Sequence, residues 1–259
     1  MMKFIIALIF SISLYSNHTI SVFSQGFDWT YSWRLPSESP TLFIGPLGST
    51  GVNIDNAGYS TFDSELNCCK YDNGQGRNSS IGIVVEQWYK GIYSFQGIIQ
   101  YNAGTSQFTS QVRNLIFSES KEETLIRDYT LQTKWNYIDL ALIAKSRVAG
   151  SHVSITGGFL LNMPIGIELN HRVDFYVEKY PIDKYTSEST PTQVENEGLV
   201  LSPLLGIEYD LAMMNGMYSK VFFRTSYTAL SRVTIGDPWR AVSFQLGAAL
   251  CMDKSSFGF

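Results

Sequence analysis

The chain has 259 residues, of which 44% are hydrophobic, 16% charged and 14% aromatic, so wholesale disorder is excluded. Nineteen Lys and Arg residues against 23 Asp and Glu residues give a net charge of −4, the wrong sign for a dedicated nucleic-acid-binding protein. Three cysteines, Cys68, Cys69 and Cys251, cannot form a disulfide framework and lack the paired spacing of a zinc site. We expect no nucleic-acid partner, no metal and no cofactor.

The first 24 residues have the pattern of a secretory signal peptide. Lys3 supplies a positive start, residues 4–14 form an apolar run, and the short side chain of Ser24 closes a cleavage region. A single membrane-spanning helix is the alternative, but Asn17 interrupts the run before the ~20 apolar residues that a span requires. We therefore expect residues 1–24 to be removed on export and residues 25–259 to form the mature domain.

Beyond residue 25, apolar and polar side chains alternate at every second position between clusters of Gly, Asn, Asp and Ser, which predicts an all-β fold. Ile81 and Ile83, for example, alternate with Gly82 and Glu86. A two-residue turn at 90–91 then makes a hairpin with the next segment. The sequence predicts eight strands in chain order, at residues 42–54, 79–88, 92–101, 127–145, 153–161, 199–211, 217–229 and 241–250.

The length and regularity of these segments carry further information. The seven segments from residue 79 onward each have about ten residues or more, the length that a tilted strand needs to cross a bilayer, and the segment 42–54 supplies the eighth strand. In the fourth segment, Tyr129 and Leu131 differ in parity from the apolar face that contains Ile138 and Leu140. That mismatch predicts a β-bulge near Trp135.

The predicted connections alternate in length along the chain. Those near residues 90, 149 and 214 are tight, whereas those at 58–78, 103–126, 163–198 and 230–238 are long. Short turns at one end and long loops at the other, with both chain ends on the short-turn side, are typical of a bacterial outer-membrane barrel. The sequence therefore predicts an eight-stranded antiparallel up-and-down transmembrane β-barrel over residues 25–259, in the outer membrane of a Gram-negative bacterium.

The alternation does not by itself say which face of each strand meets lipid. A soluble barrel turns its apolar face inward, and a membrane barrel turns it outward. The long strands and the Gly-, Ser- and charge-rich polar faces favour the membrane form, in which Ile81, Leu140, Phe223 and Phe244 contact acyl chains. Aromatic residues near the strand ends are also typical of interfacial girdles: Trp88, Tyr93, Tyr101, Tyr209 and Tyr227. The alternative is a soluble exported barrel that carries an apolar ligand.

In the membrane form, the polar faces place charged residues in the lumen. The predicted inward charges are Glu86, Asp139, Glu208 and Asp210 with Lys145, Lys220 and Arg224. Because buried charges persist only when they are paired, we expect a lumenal charge network centred on Glu86, Glu208, Lys220 and Arg224. Such a network either holds a plugged lumen together or forms a gate or proton path, and the small size of an eight-stranded barrel favours the plugged lumen.

The last predicted strand resembles the β-signal of outer-membrane proteins. Residues 245–252, QLGAALCM, supply a polar residue, a glycine two positions later and hydrophobic residues at alternate positions after it. The pattern departs from that signal in the tail 253–259, because the motif usually ends the chain with an aromatic residue. The resemblance implies recognition by the barrel-assembly machinery during biogenesis.

A second resemblance extends over most of the mature chain. The stretch 68–77, CCKYDNGQGR, leading into residues 80–86, and the stretches 34–36 and 43–45, resemble the outer-membrane β-barrel proteins of the Bacteroidota. This resemblance is one of pattern, and it implies an eight-stranded barrel related to the PorT-like and OmpA/OmpX-like groups. It carries no catalytic residue to this chain. Some members of those groups serve protein secretion, so a secretion component is a further hypothesis.

Catalytic alternatives have little support in the sequence. Only His152 and His171 remain after the signal peptide, and they fall at opposite ends of the fifth strand. A hydrolase built on His171 with Asp174 and Glu178 in a long loop would need a nucleophile, but no G-x-S-x-G motif occurs. We expect no enzyme activity. Cys68 and Cys69 form a vicinal disulfide or stay as thiols, and the predicted layout keeps both away from Cys251.

The sequence therefore favours a non-enzymatic, monomeric outer-membrane barrel. Its long loops, above all 163–198 and 103–126, would give it a structural, adhesive or partner-binding role. The expected partners are outer-membrane lipid, the barrel-assembly machinery and secretion or surface proteins.

Overall fold

The computed structural model describes residues 42–60, 70–89, 92–118, 121–148, 151–178, 180–188, 192–193, 198–214, 217–228 and 239–253. The predicted signal peptide, the 34–36 stretch, Cys68, Cys69 and the tail beyond residue 253 lie outside these residues. No helix in the described part of the chain is long and apolar enough to cross a membrane.

Ten β-strands make up almost all of the described chain. They are β1 (Leu42–Ser60), β2 (Lys70–Tyr89), β3 (Tyr93–Ser118), β4 (Lys121–Arg147), β5 (Val153–Val177), β6 (Tyr180–Glu188), β7 (Thr192–Gln193), β8 (Val200–Met214), β9 (Met217–Tyr227) and β10 (Trp239–Asp253). Each of the eight strands predicted from the sequence overlaps one of these, and β6 and β7 are additional.

Eight of the strands form a closed barrel. Each of β1 to β4 pairs with the strand that follows it in the chain. β5 then pairs with β8, β8 pairs with β9, β9 pairs with β10, and β10 pairs with β1, with every pairing antiparallel. The closing contact joins the two ends of the barrel sequence, where Gly51 of β1 lies opposite Gln245 of β10. The predicted eight-stranded antiparallel up-and-down barrel is confirmed.

The outer surface of the barrel is apolar, as the membrane interpretation predicts. The side chain of Ile81 is 69% exposed and that of Phe223 is 47% exposed, and Leu140 and Phe244 are half-buried on the same outward face. On β2 the outward positions from Ile81 to Tyr89 cover eight residue steps, about 27 Å along the strand, which at a tilt of about 40° is about 21 Å of height, most of the apolar band of a membrane barrel. A soluble barrel with an apolar lumen would turn these side chains inward, so that alternative is wrong.

One member of the predicted aromatic girdle faces the other way. Tyr93, Tyr101, Tyr209 and Tyr227 are exposed on the outer surface, but Trp88 is buried inside the barrel. Trp88 lies at an even position of β2, on the same inward face as Glu86, so strand parity overrides the general preference of tryptophan for the membrane interface.

The strands continue far beyond the barrel at the end opposite the tight turns. Residues 109–118 of β3, 121–130 of β4 and 172–177 of β5 pair with one another, and β6 pairs with β5. We call these four strand segments the protruding sheet. The predictions of long loops at 103–126 and 163–198 are therefore wrong over most of the residues described there, and the loop predicted at 58–78 is wrong at 58–60 and 70–78, which belong to β1 and β2. These segments lie above the apolar belt, so they lack the apolar alternation by which the strands lower in the barrel were recognised.

The irregularity predicted near Trp135 falls on the neighbouring strand. The β4–β5 register shifts where Asn136 lies opposite Gly166 and Tyr137 lies opposite Pro164, which makes Ile165 of β5 the additional residue. The register between β3 and β4 is continuous, so an irregularity lies near Trp135 as predicted, but its additional residue is on β5 and not on β4. The apolar side chains of Tyr129 and Leu131 change face because the upper part of the lumen is itself filled with apolar side chains.

Interior glycines make room for the large rings in the lumen. A Cβ atom on Gly104 would lie 2.3 Å from Cζ2 of the buried Trp135, whereas a Cβ on Gly97 of the same strand would meet no atom within 4 Å. We therefore expect Gly104→Ala to lower the free energy of unfolding by about 1–3 kcal/mol through overpacking. Gly97→Ala should change it by less than about 0.5 kcal/mol. Urea unfolding in lipid vesicles measures both variants, and equal midpoints would contradict this account of the lumen.

Candidate functional site

A cluster of ionised side chains fills the lumen near the end with the tight turns. It consists of Glu86 of β2, Lys145 and Arg147 of β4, Glu208 and Asp210 of β8, and Lys220 and Arg224 of β9. We call these seven residues the lumenal charge cluster. Each of them except the half-buried Arg147 is buried. The strands bring them together because Glu208 and Asp210 lie at alternate positions of β8, opposite β9, where Asp210 pairs with Lys220.

Lys220 lies between two glutamates at the centre of the cluster. Its Nζ is 2.8 Å from Oε2 of Glu86 and 3.3 Å from Oε2 of Glu208. The other oxygen of Glu208 accepts a hydrogen bond of 2.7 Å from Nη2 of Arg224. The four residues on which the predicted network was centred are therefore directly in contact.

Lys145 connects this centre to a third carboxylate. Its Nζ is 2.6 Å from Oδ1 of Asp210, 3.3 Å from Oε2 of Glu208 and 3.5 Å from Oε1 of Glu86. Arg147, which the sequence analysis did not select, donates from Nη2 to the second oxygen of Asp210 at 2.9 Å. Four cations thus surround three carboxylates. In a buried site this pairing offsets the large cost of removing each charge from water.

Neutral side chains complete the coordination of the carboxylates. Ser94 donates to Oε1 of Glu86 at 2.7 Å, and the hydroxyl of Tyr218 donates to Oε2 of the same glutamate. Gln96 donates from Nε2 to Oε2 of Glu208 at 2.8 Å and accepts from Arg224 at 3.2 Å. Each carboxylate oxygen of Glu86 and Glu208 is therefore occupied, as expected of a satisfied buried network.

Aromatic rings pack against the cations of the cluster. The guanidinium of Arg147 lies 4.3 Å and Nζ of Lys145 lies 4.7 Å from the ring centroid of Trp88. The guanidinium of Arg224 lies 3.9 Å from the ring centroid of Phe222. Cations at these distances from a ring face are attracted by its quadrupole. The inward position of Trp88 is explained by this contact.

Asp139, also predicted as part of the network, lies with a different set of partners. It accepts hydrogen bonds from Gln100 at 3.1 Å, from Asn102 at 2.8 Å and from Asn162. These are amides of the neighbouring strands β3 and β5. Asp139 is therefore inward and buried, as its parity indicates, but it is placed among amides instead of beside Lys220 and Arg224.

A second buried group, which the sequence analysis missed, fills the end of the lumen towards the protruding sheet. Asp55 accepts hydrogen bonds from Nε1 of Trp239 at 2.9 Å and from the hydroxyl of Ser106 at 2.6 Å. The aromatic and aliphatic side chains around them are Tyr71, Phe108, Tyr129, Leu131, Trp135, Tyr137 and Ile167. The parity of Tyr129 and Leu131, shared with Trp135, is the sequence signal by which this group was detectable.

His171 and Asp174, weighed above as parts of a hydrolase site, each have hydrogen-bond partners elsewhere in the structure. His171 lies within β5 instead of in a loop, and its Nε2 is 2.7 Å from the hydroxyl of Tyr71. Asp174 accepts hydrogen bonds from Thr186 at 2.7 Å and from Arg172 at 3.2 Å. Cys251 is a buried free thiol. Within the described ranges, no group of three or more His, Cys, Asp or Glu residues is arranged to hold a metal.

No family model matches the chain, and no curated protein matches it. Among solved structures, the chain is similar to Ail, the attachment invasion locus protein of Yersinia pestis, at 10% identity and a TM-score of 0.29, over 83% of this chain and 100% of that one. It is also similar to Neisserial surface protein A, at 12% identity and a TM-score of 0.32, over 80% and 95%. The outer membrane protease OmpT from Escherichia coli aligns at 10% identity and a TM-score of 0.32, over 85% and 100%. No activity of these proteins is transferred to this chain.

Proposed function

We propose that this chain is a non-enzymatic, monomeric outer-membrane barrel whose lumen is plugged and whose protruding sheet binds a partner outside the membrane. The observation that carries the proposal is the extension of β3, β4, β5 and β6 beyond the apolar belt as one hydrogen-bonded sheet. A barrel that served only as a membrane anchor would need strands of about ten residues, yet β3 has 26 and β4 has 27.

The lumenal charge cluster is proposed to hold the barrel together instead of gating it. The oxygens of Glu86 and Glu208 are already occupied by side chains, so neither carboxylate presents a free acceptor to a passing ion. Phe43 and Tyr218 pack edge to face, with centroids 4.9 Å apart, at the tight-turn end of the lumen. Eight strands enclose a space that side chains just fill, which agrees with a plug.

The protruding sheet offers both apolar and polar side chains to a partner. Leu115 is 68% exposed and Tyr185 is 71% exposed, well outside the lipid belt. An ion pair joins two of its strands, with Arg172 of β5 3.5 Å from Glu188 of β6. A hydrogen-bonded sheet that exposes a large aromatic side chain is favourable for binding, because its backbone is already ordered before contact.

Biogenesis and family membership are part of the same proposal. The β-signal-like segment 245–252 lies in β10, the strand that closes the barrel against β1, which is the place where assembly machinery would act. We propose outer-membrane lipid and that machinery as partners, and a relationship to the Bacteroidota barrels on the sequence pattern. A role in a secretion apparatus is the second hypothesis for the protruding sheet.

Photo-crosslinking in the native bacterium tests the proposed partner surface. A photoreactive phenylalanine at Leu115 or Tyr185 is expected to yield a discrete adduct of higher mass on illumination of intact cells, because both side chains project into water. The matched control is the same residue at Leu142, which is 74% exposed but belongs to the apolar belt and should crosslink only to lipid. The proposal would be contradicted if neither Leu115 nor Tyr185 gave a protein adduct. It would also be contradicted if Leu142 gave the same adduct as these two positions.

A further inference from the structure

The outer surface of the barrel has a cleft directly above the apolar belt. Its volume is about 380 Å³, within the range of small-molecule sites. The cleft lies on β2, β3, β4 and β5, and the side chains that line it include Arg77, Ser79, Thr105, Lys134, Asn136 and Glu168. It opens on the outer side of the barrel wall, so it is separate from the lumenal charge cluster.

Strand register places two cations at the same level in this cleft. Arg77 of β2 lies opposite Thr105 of β3, which lies opposite Lys134 of β4, which lies opposite Glu168 of β5. Neighbouring strands are about 4.8 Å apart, so the backbones at Arg77 and Lys134 are separated by about 10 Å with only the short Thr105 between them. Two long basic side chains at this spacing can converge on one anion.

The charge of the cleft is not neutralised by ion pairing. Among the described residues, neither Arg77 nor Lys134 has a carboxylate within salt-bridge distance. Glu168 is the one acidic side chain in the lining, against two cations. An exposed concave surface with a surplus of positive charge attracts anions.

The surface immediately below the cleft is apolar, as contact with acyl chains requires. Going down from Ser79, Ala103 and Asn136, the outward positions of the three strands become Ile81, Tyr101 and Ile138, all of them exposed. The hydroxyl of Tyr101 donates to Oδ1 of Asn136 at 2.9 Å and so marks the boundary between the polar and apolar parts. A ligand that occupies both parts has an anionic head and a hydrocarbon body.

We propose that the cleft binds the phosphate-bearing headgroup of an anionic membrane lipid, with its acyl chains along Ile81, Tyr101 and Ile138. Arg77 and Lys134 contact the phosphate from two sides, and Ser79, Thr105 and Asn136 supply hydrogen bonds to the rest of the headgroup. The proposal goes beyond the partner-binding function of the protruding sheet and shares with it only the placement of the barrel in a bilayer. A soluble phosphate would use the same cations but would gain nothing from the apolar surface below.

Retention of lipid by the purified full chain tests the proposal. The chain in detergent is mixed with equal amounts of phosphatidylglycerol and phosphatidylcholine, and native mass spectrometry counts the bound molecules of each. We expect a preference for phosphatidylglycerol. Because each basic side chain near an anionic lipid contributes a factor of about five, Arg77→Gln and Lys134→Gln should each lower the preference about fivefold, and together about twenty-five-fold.

The controls separate this site from general charge effects. Arg113→Gln/Arg172→Gln removes the same two charges from the protruding sheet and should leave the preference unchanged. Glu168→Gln should raise it, because the one repelling carboxylate is lost. A double variant of Arg77 and Lys134 that retains the wild-type preference would overturn the proposal. So would full displacement of phosphatidylglycerol by millimolar inorganic phosphate, which would indicate a site for a soluble anion. Failure of the crosslinking experiment at Leu115 and Tyr185 would leave this result unaffected.

Discussion

Replacing Lys220 with methionine is expected to lower the free energy of unfolding by about 3–5 kcal/mol, the usual cost of leaving a buried charge without its partner. Lys220 is 0% exposed and lies 2.8 Å from Glu86 and 3.3 Å from Glu208. Methionine has a similar volume, so the loss is electrostatic instead of steric. Lys145 remains within 3.5 Å of both glutamates, but Glu86 and Glu208 then share one lysine instead of two.

The comparison variant for Lys220→Met is Lys134→Met. Lys134 is exposed on the outer surface, and in vesicles of phosphatidylcholine, which hold no anionic lipid for the cleft described above, its replacement should change the free energy of unfolding by less than about 0.5 kcal/mol. Urea titration in lipid vesicles, followed by tryptophan fluorescence, gives both midpoints. The double variant Lys220→Met/Glu86→Gln should recover part of the loss, since it also neutralises the carboxylate that loses its nearest cation. A Lys220→Met protein as stable as Lys134→Met would show that the cluster is not what holds the lumen closed.

Most of the barrel was predictable because burial in a bilayer and burial in a lumen impose opposite polarity on successive residues. Ile81 and Glu86, or Phe223 and Arg224, are recognised by parity alone, and parity also correctly turns Lys145 and Asp210 inward. The pairing of Lys220 with Glu86 followed from the need of buried charge for a partner. What parity does not give is height along the barrel. Asp139 has the right face but lies among Gln100, Asn102 and Asn162.

The upper part of the molecule was missed for a related reason. Above Tyr101 the strands leave the apolar belt, so outward positions such as Thr105 and Gln107 are as polar as inward ones such as Ser106. Without contrast between the faces, the segment was predicted as loop, yet the pairing of β3 with β4 continues to Ser118. Trp88 differs for the opposite reason: the general preference of tryptophan for the interface predicts an outward side chain, but strand parity places it inside the barrel.

An arginine introduced at Leu142 is expected to lower the free energy of unfolding by about 2–4 kcal/mol in lipid vesicles, the cost of a cation facing the middle of the bilayer. Leu142 is 74% exposed. Its row across the strands, with Gly97 of β3 and Phe159 of β5, is the middle one of the five outward rows that run from Tyr101 to Tyr93. By ordinary criteria for water-soluble proteins, a side chain so exposed would tolerate arginine without loss.

Leu115→Arg separates these two cases, because Leu115 is 68% exposed but belongs to the protruding sheet. We expect this variant to unfold with the wild-type midpoint, so that two leucines of nearly equal exposure differ by several kcal/mol. The difference should shrink when the same titration is performed in short-chain detergent, where water reaches the middle of the belt more easily. If both variants instead kept the wild-type midpoint in vesicles, the apolar surface would not be facing lipid, and both the partner surface and the lipid cleft would lose the bilayer on which their positions depend.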